Sequence, residues 1–246
     1  GDLQPVVTDR SYHGYPGWSP GGERMVFNSY APEEGETTSD MDIYAVNLSS
    51  GESVQVTFDP AFDDSGRWSP AGDEISFHSS RSGSLDVWKV AVDAAGSPTG
   101  KPVRLTAGDG SEHCPRWSFD GEWITYEAER GETNDIWVMR SDGSDARQVT
   151  NDTHYDRYPG WSPDGEWLIY DSERDGNRDL YLVPVEGGTP RRITMDDALD
   201  RHADWSPQGN LLAFHSGRGG SLDIWVVEIH DPAGATGGEG AEPSLA

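Results

Sequence analysis

Cysteine, lysine and long apolar runs are scarce in this sequence. It contains one cysteine and two lysines among 246 residues. Cys114 alone excludes an internal disulfide and a cysteine-based zinc site. No apolar run approaches the roughly 20 residues that a membrane-spanning helix requires. Because 18 basic residues stand against 44 acidic ones, the net charge of −26 argues against nucleic acids and anionic membrane surfaces as partners.

Turn-forming and aromatic residues are abundant. The 30 glycines and 16 prolines predict many turns. Ten tryptophans, nine tyrosines and six phenylalanines supply apolar surface for a core, which argues against global disorder. The composition therefore indicates a folded, acidic, turn-rich domain.

The strongest pattern in the sequence is a fivefold repeat with three marks at nearly fixed spacing. The marks are a Trp-Ser pair with a glycine four residues after the Trp, an Asp followed by an aliphatic and an aromatic residue, and a β-branched run that ends in Thr. They occur at Trp18, Trp68, Trp117, Trp161 and Trp205, at Asp42, Asp86, Asp135, Asp179 and Asp223, and at Thr8, Thr57, Thr106, Thr150 and Thr194.

Each repeat predicts four short strands in roughly 44 residues, which is typical of a β-propeller blade. We therefore expect an all-β fold, a β-propeller of five four-stranded blades over residues 1–231. After Ile229 no fourth strand remains for the last blade, and we expect the N-terminal strand Pro5–Thr8 to complete it. The alternative is a piece of a larger propeller with one exposed edge. Residues 232–246 are predicted to form a disordered tail.

The best copy of the repeat runs from Trp161 to Thr194, with Trp-Ser-Pro-Asp-Gly, an aliphatic-aromatic strand, Ser-x-Arg-x-Gly-x-x-Asp and Arg-x-Ile-Thr. It resembles the TolB-type β-propeller repeat, and the resemblance covers residues 1–230. Similar blades occur in bacterial periplasmic scaffold proteins, in propeller domains of serine peptidases and in some polysaccharide lyases. The resemblance implies the architecture and a periplasmic or other extracytoplasmic location. Five copies depart from the six or more blades of the best-known members.

Most repeated residues are interpreted as structural. The five tryptophans are expected to pack, and the Ser after each Trp and the Thr that ends each fourth strand are expected to bond to local backbone. The repeated Asp lies five residues after an arginine in four repeats, which predicts a polar network within each blade. These arginines are Arg81, Arg130, Arg174 and Arg218.

Residues that differ between blades near one face are the candidate functional residues. The position five before each Trp predicts a ring of metal ligands for Ca²⁺ or another divalent cation, since hard oxygens suit such ions: His13, Asp63, Glu112, Asp156 and Asp200. Ligand-binding residues are predicted at the next position (His113, Arg157, Arg201), at the end of the second strand (His78, Glu127, Asp171, His215) and at His202, which follows Arg201. The alternative is that these loops use Asp and His only as solvated turn residues.

The favoured function is a non-enzymatic binding or scaffold propeller. Its acidic channel face would take a protein, a peptide or a small polar ligand, and we expect a monomer without membrane insertion. The alternative function is a metal-assisted carbohydrate-active enzyme, a glycoside hydrolase or lyase, and a third is a purely structural module. Replacing Asp156 and Asp200 with alanine should leave the fold intact but abolish any effect of a cation.

Overall fold

The computed structural model describes residues 5–8, 12–30 and 41–230, and β-strands are the regular secondary structure of these ranges. None of the described residues belongs to a helix long and apolar enough to cross a membrane. The chain divides into two compact units, residues 1–117 and 118–246. The first unit contains strands β1 to β9 and the second contains β10 to β19.

The strands form five antiparallel sheets in which neighbours in sequence are hydrogen-bonded neighbours in space. The first two sheets contain β1 (Tyr12–Trp18), β2 (Arg24–Tyr30), β3 (Asp42–Asn47) and β4 (Ser53–Gln55), then β5 (Asp63–Trp68), β6 (Glu74–Ser79), β7 (Asp86–Ala91) and β8 (Val103–Arg104). The third and fourth contain β9 (Glu112–Trp117), β10 (Trp123–Arg130), β11 (Thr133–Arg140) and β12 (Arg147–Gln148), then β13 (Asp156–Trp161), β14 (Trp167–Ser172), β15 (Asp179–Pro184) and β16 (Arg191–Arg192). The fifth contains β17 (Asp200–Trp205), β18 (Leu211–Ser216) and β19 (Asp223–Glu228). The predicted all-β propeller class with five blades is confirmed.

The last blade differs in detail from the prediction. Its sheet has three strands among the described residues, and Pro5–Thr8 belongs to no strand. Proline lacks the N–H that a ladder needs, and only Val6 and Val7 offer apolar surface here. These two valines line a cavity of about 200 Å³ in the first unit, together with Met25 and Phe27. The predicted tail at 232–246 lies outside the described residues.

Each unit buries apolar side chains of its second and third strands in clusters, except that β19 of the last sheet is largely exposed. In the first unit, Val26 and Ile43 of the first sheet pack with Phe77 of the second. In the second unit, apolar clusters join neighbouring sheets in the same way. The repeated tryptophans at Trp68, Trp161 and Trp205 are buried, as expected of packing residues. Trp18 is 64% exposed, so the packing interpretation is wrong for this copy.

The repeated serine and threonine bond to local backbone, as predicted. In the fourth blade, Ser162 Oγ accepts the Trp167 N–H at 2.9 Å and closes the first turn. Thr194 Oγ1 accepts the Leu180 N–H at 3.0 Å and donates to Asp179 Oδ1 at 3.1 Å. The repeated Asp therefore joins the third strand to the fourth.

Candidate ligand-binding site

Every first strand has a left-handed residue, here called its bulge residue, three positions before the repeated Trp, and in four of these strands the pairing with the second strand shifts register there. The five residues have φ between 47° and 58°, and none is glycine or asparagine: Tyr15, Ser65, Cys114, Tyr158 and His202. The pairing of β13 with β14 shifts register between Arg157 and Gly160, and β17 shifts on β18 between Arg201 and Asp204. A left-handed non-glycine residue costs about 1–2 kcal/mol. Such bulges re-aim a side chain out of the regular pleat.

In three of the five blades, the backbone N–H of the bulge residue bonds to a side chain on the second strand of the preceding blade. Tyr158 N donates to Glu127 Oε1 at 2.8 Å, and His202 N donates to Asp171 Oδ1 at 3.3 Å. In the first unit, Cys114 N donates a hydrogen bond to His78 Nδ1 at 3.3 Å. The three acceptors are buried. Glu127, Asp171 and His78, which were predicted to bind ligand, therefore anchor the bulges.

The protonation of two anchors follows from their burial. Desolvation, with smaller contributions from the charges of His113 and Arg67, lowers the pKa of His78 to about 3. A neutral His78 matches the role of Nδ1 as an acceptor. Desolvation also raises the pKa of Asp171 to about 8, although Arg178 Nε lies 3.4 Å from Asp171 Oδ2 and acts in the opposite direction. Asp171 is thus mainly protonated at neutral pH.

The predicted metal ligands are held in other ways. Asp63 pairs with Arg81 at 2.6 Å, Asp156 with Arg174 at 3.1 Å, and Asp200 with Arg218 at 2.6 Å. Each carboxylate is completely buried, and each arginine comes from the same blade. An adjacent guanidinium neutralises the charge that a cation was expected to balance.

The remaining two predicted metal ligands also have other surroundings. Glu112 is buried at the start of β9, and the His13 ring packs edge-on against Phe27 at 5.4 Å. Within the described residues, no group of three or more His, Cys, Asp or Glu side chains is arranged to hold a metal ion. Three of the five predicted metal ligands are therefore paired with arginines, and the metal site stays a prediction.

Three of the four arginines that precede the repeated Asp have a different partner from the expected one. Arg81, for example, pairs with Asp63 rather than with Asp86. Asp86 pairs instead with Arg104 of the fourth strand at 2.9 Å, and Asp179 pairs in the same way with Arg192 at 2.6 Å. Each of these two blades thus contains a polar network.

In the second unit, three half-buried rings form a cluster above the anchors. The His202 ring lies 3.9 Å from the Tyr158 ring and 5.3 Å from the His215 ring, measured between centroids. Arg157 and Arg201 directly precede the two bulge residues. Arg157 stacks over the Tyr155 ring at 4.7 Å. We call Arg157, Tyr158, Arg201, His202 and His215 the ring cluster, and it joins four of the predicted ligand-binding residues.

The first unit holds a smaller cluster at the same repeat positions. His78 and His113 have ring centroids 5.5 Å apart, and Ser65 Oγ lies 3.8 Å from Cys114 Sγ. Burial raises the pKa of Asp64 to about 6. The two units therefore differ in charge at equivalent positions, since Arg157 and Arg201 of the second unit correspond to Asp64 and His113 of the first.

Comparison with known proteins decides the family. The family model described as the TolB β-propeller domain matches residues 98–235, which is more than half of the chain. The chain belongs to the TolB β-propeller family. The predicted family is thereby confirmed on a match that includes the ring cluster.

Solved structures share the TolB propeller fold with this chain. A TolB structure from Agrobacterium tumefaciens has a TM-score of 0.77 and 22% identity, and the match covers 91% of this chain and 79% of that one. TolB from Acinetobacter baumannii has a TM-score of 0.72 and 18% identity, covering 91% of this chain and 53% of that one. An oligogalacturonate lyase in complex with manganese has a TM-score of 0.69 and 16% identity, covering 92% and 67%.

A curated relative matches over a shorter stretch. An uncharacterized protein of Agrobacterium fabrum is 32% identical over 79 residues. The match covers 32% of this chain, and it spans only a quarter of the length of that relative.

Sequence reasoning missed the bulge residues Tyr158, Cys114 and Ser65 of this TolB-family chain. The available indication was positional, because they lie at a fixed distance from the repeated Trp while their residue types vary. Tyrosine, serine and cysteine rarely adopt positive φ, so residue type gave no indication of a bulge.

Proposed function

We propose that this chain is a non-enzymatic binding propeller that presents its ring cluster to a peptide or a small polar ligand. The observation that carries the proposal is the left-handed backbone at Tyr158 and His202, which holds two neighbouring rings on strained, hydrogen-bonded bulges. Backbone strain of this kind concentrates at functional sites, where it pre-organises side chains. Pre-organised rings contribute contact area while losing little conformational entropy on binding.

The anchors support this proposal by making the site rigid. Glu127 Oε2 also accepts a hydrogen bond from Asn134 Nδ2 at 3.4 Å. Arg178 links Asp171 to Glu173, since its Nη2 atom lies 2.6 Å from Glu173 Oε1. Binding sites built on such fixed elements hold their geometry better than sites on loops.

A phage-displayed peptide library panned against the full chain tests the proposal. Peptides enriched by the wild-type protein should be lost by the double variant Tyr158→Gly/His202→Gly, which removes both rings while glycine retains the left-handed backbone. Ser65→Gly, at the same repeat position in the first unit, is the matched control and should retain the enriched peptides. Equal enrichment by wild type and double variant would contradict the proposal.

A metal-assisted carbohydrate-active enzyme is the second candidate function. The imidazole pair His202–His215 and the fold shared with a manganese-bound oligogalacturonate lyase favour it. Incubating the chain with oligogalacturonate and Mn²⁺, and following the ultraviolet absorbance of an unsaturated product, tests it. Turnover that is lost in His215→Gln and in chelator would replace the binding proposal.

We also propose an extracytoplasmic, periplasmic location, with a protein or peptide as the partner of a monomeric chain. Membership of the TolB family supports the location and the kind of partner. Fractionation of cells that produce the full-length protein tests the location. Light scattering coupled to gel filtration tests the oligomeric state.

A further inference from the structure

Two arginines of the ring cluster differ from most arginines of this protein. Eight described arginines form ion pairs with carboxylates: Arg81, Arg104, Arg140, Arg147, Arg174, Arg178, Arg192 and Arg218. Arg157 and Arg201 have no carboxylate partner among residues 5–8, 12–30 and 41–230, although the chain has 44 acidic residues. Both are half-buried, and the Arg201 Nε atom is buried without a hydrogen-bond acceptor in these ranges.

The strand register places both arginines beside the rings. Arg157 lies opposite Asp171 across the β13–β14 pair, and Arg201 lies opposite His215 across β17–β18. Side chains on directly paired residues have Cβ atoms about 5 Å apart. The positive charge of Arg157 reaches Asp171, whose ionised form it favours. The two guanidinium groups and the three rings therefore belong to one region of the second unit.

We infer that Arg157 and Arg201 bind a carboxylate of an acidic peptide, with Tyr158 and His202 packing against the adjoining residues of that peptide. This inference rests on the proposed function and specifies its ligand. A guanidinium offers a planar fork of donors that matches a carboxylate, and partial burial protects such a contact from screening. In a chain of net charge −26, two arginines that form no ion pair with a described carboxylate, each beside an equivalent bulge, are a local site for an anion.

Asp171 gives the site a proton linkage. Its Oδ1 atom accepts the His202 N–H, and its side chain is 1% exposed. The charged groups that act on it are Arg178, Glu127 and Arg157. A carboxylate that binds above it disfavours the ionised form, so the peptide should bind together with protonated Asp171. Since burial raises the pKa of Asp171 to about 8, affinity should weaken as the pH rises through this value.

Fluorescence anisotropy on the full chain tests the inference at about 0.15 M salt, where the Debye length is about 8 Å. The probes are a labelled hexapeptide containing two glutamates and its counterpart with glutamines. We expect the glutamate peptide to bind at least about 10-fold more tightly, because losing one hydrogen bond to a charged group lowers affinity by about this factor. Arg157→Gln and Arg201→Gln should each lose about 10-fold, and Arg157→Lys should restore only part of the loss. Arg147→Gln, which removes a half-buried, ion-paired arginine outside the ring cluster, is the control and should leave the affinity for both peptides unchanged.

The pH profile separates a direct site from a structural effect. Wild-type affinity for the glutamate peptide should fall between pH 7 and 9, and Asp171→Asn, which keeps an oxygen acceptor for the His202 N–H, should lose this dependence. Equal binding of the two hexapeptides, or no binding of either, overturns the inference. If the library selects non-acidic peptides that need Tyr158 and His202, the proposed function stands and this inference falls. If digalacturonate binds through both arginines and the glutamate peptide does not, the peptide assignment is overturned.

Discussion

Asp63, Asp156 and Asp200 are buried partners of arginines, so replacing any of them should lower the free energy of unfolding. Removing one partner of a buried ion pair costs about 3–5 kcal/mol because the other charge stays buried and unpaired. After Asp156→Ala, Arg174 keeps Asp152 at 3.0 Å, and after Asp200→Ala, Arg218 keeps Asp196 at 2.6 Å. We therefore expect losses of about 3 kcal/mol for these two variants.

Asp63→Ala should cost more than either of them. Arg81 pairs with Asp63 alone among the described acidic residues and would keep only Ser79 Oγ, at 2.8 Å, as a hydrogen-bond partner. We expect a loss of about 4–5 kcal/mol, which lowers the melting temperature of a chain of this size by about 10 °C or more. The double variant Asp63→Ala/Arg81→Met should recover part of the loss, since no buried charge remains.

Thermal melts followed by tryptophan fluorescence measure these differences, in chelator and with Ca²⁺, Mg²⁺, Zn²⁺ or Mn²⁺. Glu186→Ala is the control, because this exposed partner of Arg147 should contribute less than about 1 kcal/mol. Alanine variants that melt like the wild type would refute the ion-pair explanation. So would a cation-specific stabilisation near 2.7 kcal/mol at about 100 times the dissociation constant, if it survives high NaCl.

Three further predictions concern single positions. Asp171→Asn should become more stable relative to the wild type as the pH rises from about 4 to about 8. The raised pKa of Asp171 stabilises the wild-type protein at low pH, and this stabilisation is lost as the pH rises. Urea midpoints of both proteins at both pH values measure the difference in stability, and a difference that does not change with pH contradicts the prediction. Thr194→Val should cost about 1–3 kcal/mol by leaving the Leu180 N–H without its acceptor, and Thr194→Ser should restore most of the urea midpoint. Gly66→Ala should cost about 1–3 kcal/mol because an added Cβ would meet Val26 Cγ2 at 2.9 Å, while Gly100→Ala, in open space, should unfold at the wild-type urea concentration.

Recurrence in the sequence was sufficient to predict the blades. The Trp-Ser turn and the terminal Thr have one geometric role wherever they occur, as Ser162 and Thr194 show. For this reason the strand count per blade followed from spacing alone in four of the five sheets. The fourth strand of the last blade had no such repeat context, and the two valines near the N-terminus were too little apolar surface to specify a pairing.

Partner choice and backbone conformation could not be predicted in the same way. Arg81 lies 18 residues from Asp63 and five from Asp86, and sequence spacing does not tell which carboxylate its side chain reaches. Sequence reasoning placed these arginines with the repeated Asp, and it therefore missed that they pair with the acidic positions predicted to bind a cation. The left-handed bulge at Cys114 or Tyr158 results from the second-strand anchor and the strand register, which only the folded backbone reveals.

The recurring bulge separates backbone geometry from side-chain identity. In three blades a buried side chain of the preceding blade accepts a hydrogen bond from the amide of the bulge residue, for example His78 from Cys114 and Asp171 from His202. The side chain of the bulge residue takes no part in the backbone hydrogen bonds of the sheet. The five blades have tyrosine, serine, cysteine, tyrosine and histidine at this position. The bulge positions are thus equivalent sites on the sheets, at which one substitution can change the chemistry of binding without any change in the strand pairing.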